Sequence, residues 1–564
     1  MNTSSNHHWK IPERTEASLV DQLLKNRGIT DRERFLAPDF ERDSHDPWRL
    51  PTMERAVARI IQAIERKEII AVYADYDADG IPGGAILTKL LRANGATVVP
   101  YVPDREKEGY GLNRQAIEYL KKQRVSLIIT VDLGITNSAA VAEAVAVGID
   151  VIVTDHHSID PDRIPTDAVA TVHPGLPGSI YPFAGLAGGG VAWKLAQAVA
   201  ERTGRPTSNE LKWWLELAAI STVCDMVPLQ DESRLIVQFG LKVLRKTRSI
   251  GLRALYEQAS IDPSVVDERT IGFQIGPRIN APGRMDHAAP AFELLLTDDP
   301  TRAEALASQI ELLNHDRQAL VGRVVDEAIN KLSTFGKELP TVIILDDPSW
   351  PIGVLGLAAS RLVERYHRPV ILLNQTADGR AKGSARSISG FNVLEAIRAS
   401  RDLLTSFGGH TGAAGLSLDH AALADFSAAL EEFAAARLSL DALQPTHRAD
   451  AAISAAELTE SLMNELDQFA PFGMANPAPT FVVQPLIVRS VRRLGADGQH
   501  LKLTFANAPF AGLAWRFSER GMSLPSVGQS IAILGRPEWN TWNGQRSLQL
   551  IVNDWQPSDD IDIQ

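Results

Sequence analysis

Residues 69–80 read IIAVYADYDADG. The first six, apolar or small throughout and led by two isoleucines, predict a strand buried on both faces. The chain then places Asp75, Asp77 and Asp79 at alternate positions and closes on Gly80. Alternate residues of an extended chain point to one side, so the three carboxylates can converge. Two carboxylates about 4 Å apart repel by roughly 4 kcal/mol at an effective dielectric of 20. Such a cluster persists only if it is protonated, well solvated or neutralised by cations. A solvated turn is the alternative, because Asp and Gly are turn residues.

The arrangement recurs downstream. SLIITV (126–131) runs into Asp132, DVIVT (150–154) into Asp155-His156-His157, and the apolar run LAAISTVC into Asp225. TVVPYV reads as a further strand, while AILTKLLRANG, NRQAIEYLKK and an alanine-rich stretch read as helices between strands. Strand–helix alternation predicts a parallel sheet covered on both faces. Acidic groups at the carboxyl ends of its strands lie where open α/β sheets bind ligands. Aspartate oxygens with one or two imidazoles suit Mn2+ or Mg2+ better than zinc or iron–sulfur chemistry. A pair of such ions can activate water and stabilise both oxygens of a phosphoryl displacement. A metal-free surface pair is the alternative for His156-His157; the repeated register weighs against it.

A chain of 564 residues is too long for one core and predicts three or four domains. Residues 302–331, rich in Ala, Leu, Glu and Arg with few breakers, predict a long helix between two lobes. TVIILDD (341–347) and RPVILLN (368–374) open a second α/β unit. From about residue 450 short strands with turns follow, as in a small oligonucleotide-binding barrel. The expected division is an N-terminal segment 1–45, an α/β domain 46–300, a connecting helix 301–335, a second α/β domain 336–445 and a barrel 446–558.

The net charge of −12 disfavours DNA binding if spread evenly. It is not spread evenly. Between Phe481 and Leu550, eight basic residues (Arg489, Arg492, Arg493, Lys502, Arg516, Arg520, Arg536, Arg546) face three acids, Asp497, Glu519 and Glu538. Trp515, Phe517, Trp539 and Trp542 interleave with these arginines, a pairing that suits base stacking beside phosphates, although some rings must build the barrel core. Cys224 is the single cysteine, which excludes an intramolecular disulfide and a cysteine-rich zinc site. Beside Asp225 it reads as a small buried residue. Gly188-Gly189-Gly190 could offer N–H groups to an anion, but close helix packing is the commoner use. His7-His8 reads as disordered decoration. No stretch has signal-peptide or bilayer-spanning character, so a cytoplasmic protein without a membrane is expected.

DYDADG, VDLG, TDHH and CDMVP, in this order, resemble the signature motifs of the DHH phosphoesterase superfamily. EGYGLN (108–113), GPRINAPGRMDHA (276–288), GVLGLAASRLVERYHRPVILL (353–373), GSARSISGF (383–391) and FGGHTGAAGLSL (407–418) narrow the resemblance to its RecJ-type members. It runs from about residue 20 to 556, nearly the whole chain. The resemblance implies a DHH-type parallel-sheet lobe, a long connecting helix, a DHH-associated α/β lobe and a C-terminal OB-fold barrel. It implies a nuclease of DNA repair and recombination that degrades single-stranded DNA 5′→3′ to 5′-mononucleotides with Mn2+ or Mg2+. Its partners would be single-stranded DNA, with a single-strand-binding protein and a helicase as candidates.

Residue by residue, it implies that Asp77, Asp79, Asp132, His156 and Asp225 are metal ligands, with Asp132 as the bridge and Asp75 beside them. His157 would contact the scissile phosphate or assist proton transfer, and His410 would reach the same phosphate. Arg278, Asn280 and Arg284 supply donors suited to phosphate oxygens. Arg105, Ser384 and Arg386 resemble a pocket for a terminal 5′ phosphate. Tyr73 stands where many relatives carry a metal-ligating histidine, Ala74 where glycine is usual, and Pro351 where a histidine generally follows tryptophan. Two alternatives stay open: a phosphodiesterase for short oligonucleotides or cyclic dinucleotides, and a catalytically silent DNA-binding scaffold.

Overall fold

A computed structural model describes residues 8–105, 107–334, 339–376, 378–495, 497–518, 520, 522–542 and 545–560. His7, Glu519 and the ring of Trp542 lie outside the described residues. The chain forms two compact units: Glu33–Arg317 with Ala470–Pro477, and Met1–Arg32 with Gln318–Phe469 and Ala478–Gln564.

The first unit is built on five parallel strands, β1 (Ile69–Ala74), β2 (Thr97–Tyr101), β3 (Val125–Val131), β4 (Asp150–Thr154) and β5 (Ala170–Val172). Their order is β2-β1-β3-β4-β5. The pleat sorts β1 as its apolar run requires. Ile70, Val72 and Ala74 enter the larger core with Ile81, Ala85 and Val191, while Ala71 and Tyr73 enter a second core with Ile117, Ile128 and Val151. On the first face lie α1 (Gly80–Ala93), α2 (Gly188–Thr203) and α3 (Leu215–Cys224). The apolar run before Asp225 is therefore a helix, α3, and Asp225 is its C-cap. The helices α4 (Asp231–Leu244) and α5 (Gly276–Met285) follow, and α6 (Pro300–Ser333) is the long helix expected from 302–331.

One polar device is sealed inside this unit. Lys194 of α2 and Glu232 of α4 are both buried and lie 2.9 Å apart. Glu232 also accepts from the Ser44 hydroxyl at 3.1 Å, the His45 backbone N–H at 3.0 Å and the Tyr181 hydroxyl. Removing one partner of such a pair strands the other charge, at a cost of about 3–5 kcal/mol. Lys194→Met should therefore lower the stability of the unit by that amount in urea unfolding. Adding Glu232→Leu should restore part of it. A single variant within about 1 kcal/mol of the parent would contradict this.

The second unit holds a five-stranded mixed sheet and a barrel. The sheet strands are β6 (Ile343–Asp346), β7 (Val370–Gln375), β8 (Arg380–Arg386), β9 (Ser406–His410) and β10 (Ala413–Asp419), in the order β9-β10-β8-β7-β6. Only β6 and β7 are parallel; the other pairings are antiparallel. The helix α7 (Ile352–Tyr366) packs on β7 and β8. The barrel strands β11 (Phe481–Leu494), β12 (His500–Phe505), β13 (Ala511–Ala514), β14 (Ser530–Trp542) and β15 (Gln545–Pro557) close because β14 pairs with both β15 and β11. Closure removes the sheet edges.

His8 is not disordered decoration. The strand His8–Lys10 pairs in parallel with Thr446–Arg448, the Trp9 indole donates to Asp554 at 2.9 Å, and Ile11 joins a barrel cluster with Val482, Ala532 and Leu534. Among the described residues, no helix is long and apolar enough to cross a membrane.

Candidate metal centre

The DYDADG loop leaves β1 still tied to the sheet, with the Asp75 N–H donating to Val131 O at 3.1 Å. The loop then turns on its own carboxylate. Asp77 Oδ1 accepts from the backbone N–H groups of Asp79 (2.8 Å) and Gly80 (3.1 Å), the local pattern that makes Asp a turn former. From α5, Asn280 Oδ1 accepts from the Ala78 N–H at 2.9 Å. The carbonyl end of Asn280 is thereby committed to the loop, and its NH2 end is what remains for a phosphate.

Asp79 occupies an anion site made by the protein itself. Its two oxygens accept from the Gly188 and Gly189 N–H groups at the start of α2, at 2.8 and 2.7 Å, and from the Ser221 hydroxyl at 2.5 Å. A helix N-terminus stabilises negative charge there. The first two glycines thus hold an anionic group in addition to the packing use expected of them. They pack as well: a Cβ on Gly188 would lie 2.5 Å from Asp132 Cβ, and one on Gly189 would lie 2.5 Å from Ser221 Oγ.

Asp132 emerges from β3 with φ of +63°, a left-handed conformation that non-glycine residues seldom adopt and that clusters at functional sites. Its Oδ1 lies 3.1 Å from His156 Nε2, which is also 3.4 Å from Asp79 Oδ2 and 3.5 Å from Asp225 Oδ2. Yet His156 Nε2, Asp132 Oδ1 and Asp75 Oδ1 are buried atoms without a hydrogen-bond partner among the described residues. Buried polar groups are normally satisfied. Donor atoms that crowd within 3–4 Å without bonding one another aim at shared points, as ligands of a cation do.

Among the described residues, three groups place their ligand atoms within 4.8 Å of one another: Asp75, Asp77 and Asp132; Asp79, His156 and Asp225; and Asp132, His156 and His157. The electrostatics agree with that use. Burial, and then the neighbouring Asp77, holds the Asp75 carboxyl well above the usual range; burial and Asp79 do the same for Asp132. Burial and Asp79 push Asp225 up to about 8. Burial lowers the pKa of His156 and so favours the neutral imidazole that ligates metals. Bound cations would remove the repulsion that raises these carboxyls. The donor set fits a divalent metal.

Asp155 and His157 form a different kind of pair. Burial alone would raise the Asp155 carboxyl, but its bond to His157 and the N–H groups of Ile135, His156 and His157 hold it at about 2. Burial alone would lower His157, and the 2.8 Å bond from Nδ1 to Asp155 Oδ1 instead carries it to about 9. Because Nδ1 is directed to Asp155, Nε2 is the nitrogen that His157 keeps for a substrate. His173 Nδ1 accepts from the Gly175 N–H, so its Nε2–H donates to His157 O at 2.8 Å and steadies the segment. Sequence reasoning does not single out Ser221 and His173, whereas it does single out Asp155, at the end of its strand. For Asp155 the signal was its place inside TDHH.

The remaining expected residues divide. The Arg105 guanidinium lies 5.2 Å from the Tyr76 ring centroid, over the DYDADG loop. Arg284 sits on the last turn of α5. Arg278 is committed elsewhere: it grips Glu311 of α6 with two bonds, at 2.5 and 3.0 Å, and donates to Gln274 O at 2.9 Å. Reaching a phosphate would require it to exchange Glu311. Tyr73 is fully buried in the second core. Cys224 packs its Sγ against Gly276, and burial raises its thiol pKa, consistent with a small packing residue.

In the other unit, Arg386 donates to the Ser384 hydroxyl and to Ala385 O, each at 2.8 Å, on β8. Gly356 of α7 leaves room for them: a Cβ there would lie 2.5 Å from Arg386 Nη2. His410 ends β9 and is exposed. Pro351 precedes α7 as its N-cap, and the adjacent Trp350 donates to Glu327 at 2.7 Å. Within the barrel, Phe517 is buried with Arg493 over its ring, Trp515 is about half exposed, and Trp539 carries Arg546 at 3.9 Å.

Comparison with known proteins gives three family matches: the DHH family N-terminal domain over residues 69–222, the DHHA1 domain over 339–436 and the RecJ OB domain over 449–554. The chain is 40% identical over 540 residues to the single-stranded-DNA-specific exonuclease RecJ of Bacillus subtilis (strain 168), covering 95% of this chain and 67% of that one. It is 34% identical to the protein of that name from Salmonella typhimurium, with 96% of each chain covered. The crystal structure of RecJ in complex with Mn2+ from Thermus thermophilus superposes with a TM-score of 0.81 at 31% identity, covering 97% of this chain and 79% of that one.

Proposed function

The chain belongs to the RecJ family of single-stranded-DNA-specific exonucleases, and from that membership we propose how its centre cleaves DNA. The substrate is a single strand, hydrolysed from its 5′ end to 5′-mononucleotides. The observation that carries the reading is the set of buried donor atoms of Asp75, Asp132 and His156 that have no hydrogen-bond partner among the described residues and lie among neighbouring carboxylates. Asp75, Asp77 and Asp132 would hold one Mn2+ or Mg2+, and Asp79, His156 and Asp225 a second, with Asp132 between them. Such ions, when bound, activate water and stabilise the attacking and leaving oxygens of an in-line displacement.

The protein's own groups do the rest. The amides of Gly188 and Gly189 fix Asp79, and the left-handed backbone at Asp132 presents its carboxylate. Asp155 holds Nδ1 of His157 so that Nε2 can meet the scissile phosphate. The NH2 group of Asn280, Arg284 and, once released by Glu311, Arg278 suit phosphate oxygens. By the family resemblance, His410 would reach the scissile phosphate, and Arg105, Ser384 and Arg386 would serve the terminal 5′ phosphate. Exposed Trp515 and the surrounding basic residues of the barrel suit stacking and backbone contact with a long single strand. That feature favours an exonuclease over a phosphodiesterase of short oligonucleotides, and the retention of every carboxylate of the centre weighs against a silent scaffold.

The direction of attack is tested at Arg386. A terminal phosphate offers a charge and an oxygen that an internal diester lacks, so 5′-phosphorylated strands should be cleaved faster than 5′-hydroxyl strands. A lost charged hydrogen bond is worth about 1.5–3 kcal/mol, so Arg386→Ala should reduce that preference by roughly 10- to 150-fold at most. Competition between the two strands in one reaction measures it. An unchanged preference would remove Arg386 from the pocket.

A further inference from the structure

We propose that Tyr110 is a positioning residue for His157, and that Tyr73 anchors the loop that carries it. The proposal rests on the nuclease reading above and adds two residues to it. Tyr110 lies between Gly109 and Gly111, whose φ values of +78° and +92° let the loop turn beside the metal centre. Its hydroxyl donates to the backbone oxygen of Asp132 at 3.4 Å and lies 3.3 Å from His157 Nδ1. The rings meet edge to face, 5.7 Å between centroids. The Nδ1 proton is directed to Asp155 at 2.8 Å, so the Tyr110 oxygen is a second, longer acceptor for the same N–H.

One hydroxyl therefore ties the imidazole to the main chain of Asp132, the carboxylate shared by two ligand groups. Rotation of His157 about its side-chain bonds would break both tethers at Nδ1. With Asp155 and Tyr110 both held at Nδ1, the ring keeps one orientation, and Nε2 has no hydrogen-bond partner among the described residues. The contacts are long, so each is weak; their effect is on the orientation of the ring.

The loop has its own anchor. The Tyr73 hydroxyl donates to Gly111 O and accepts from Asn113 Nδ2, each at 3.0 Å. Its ring is fully buried and stacked on Tyr101 at 5.1 Å. The Leu112 N–H donates to Asn137 Oδ1 at 3.2 Å, and a Cβ on Gly111 would meet that side chain at 2.7 Å. A tyrosine two residues before Asp75 thus spends its polar atom on the loop and offers none to a metal.

The test compares Tyr110→Phe, Tyr73→Phe, His157→Ala and the double variant Tyr110→Phe/His157→Ala. Four quantities are measured for each: kcat and KM on 5′-phosphorylated single-stranded DNA with Mn2+, DNA affinity in EDTA, and stability in urea. Tyr110→Phe should lower kcat about three- to tenfold, the range of a weak neutral hydrogen bond. Its KM, its affinity in EDTA and its stability should match wild type. Tyr73→Phe should lower kcat in the same direction. In the His157→Ala background, Tyr110→Phe should change the residual kcat by less than about twofold, because a residue acting through another has nothing left to act on. Wild-type kcat in Tyr110→Phe, or an undiminished loss in the double variant, would overturn the proposal. If wild-type protein itself shows no metal-dependent cleavage, the nuclease reading fails instead, and the two failures are distinct.

Discussion

Asp132→Asn and Asp132→Ala are expected to lower the metal-dependent cleavage rate at least about a hundredfold while leaving the protein folded. Asp132 belongs to two of the three ligand groups, and its Oδ1 lies 3.1 Å from His156 Nε2. Loss of an oxygen placed there weakens charge stabilisation worth several kcal/mol in a metal-assisted displacement, and about 2.7 kcal/mol is already a hundredfold. The fold should tolerate the change. The carboxyl is buried among like charges, so a neutral amide relieves repulsion rather than breaking a bond. Asn is the sharper variant because, like Asp, it tolerates the left-handed backbone at φ of +63°. Urea unfolding in EDTA should show Asp132→Asn at least as stable as wild type. A variant that keeps more than a tenth of the wild-type rate would show that the centre is placed wrongly.

Gly188→Ala should be about as damaging, although it replaces no ionisable group. Its new Cβ would come 2.5 Å from Asp132 Cβ and 2.7 Å from Oδ1, far inside contact distance. Either α2 or Asp132 must shift by about an ångström, and misplacement on that scale costs on the order of a hundredfold in rate. The same shift would pull the Gly188 and Gly189 amides from Asp79. Gly190→Ala supplies the control, since its Cβ would meet nothing closer than Leu186 at 3.5 Å. That variant should stay within about twofold of wild type, as contacts of ordinary length allow. Equal behaviour of the two variants in cleavage and Mn2+ affinity would mean that the close approach of α2 to Asp132 is unimportant.

The parts of this centre that were legible in the sequence are those written in local periodicity. Asp75, Asp77 and Asp79 follow a strand and alternate, Asp132 and Asp155 follow two more, and the stretch 302–331, with few breakers, is indeed one helix, Pro300–Ser333. What escaped depends on partners far apart in the chain. The amides that hold Asp79 come from residues more than a hundred positions away, so no spacing rule near DYDADG announces them. Arg278 looks like a phosphate donor within GPRINAPGRMDHA until Glu311 takes its guanidinium. Tyr73 looks like a lost ligand until the pleat turns it into the second core. The N-terminal strand has too few residues to show a period, and it is held by distant groups: Thr446–Arg448 beside it and Asp554 at the Trp9 indole. Asn26 and Arg27 also bond Asp450, so a cut near residue 450 would open polar contacts of the N-terminal segment rather than release an independent barrel.

The account is tested most directly by the fate of a label at either end of single-stranded DNA, with Mn2+, Mg2+ or EDTA present. With either metal, a label on the 5′ phosphate should appear at once as a labelled mononucleotide, while a 3′ label should pass through a ladder of shortening strands. Blunt duplex should be spared, and EDTA should stop both reactions. Mononucleotides released first from the 3′ end, or cleavage that persists in EDTA, would contradict it.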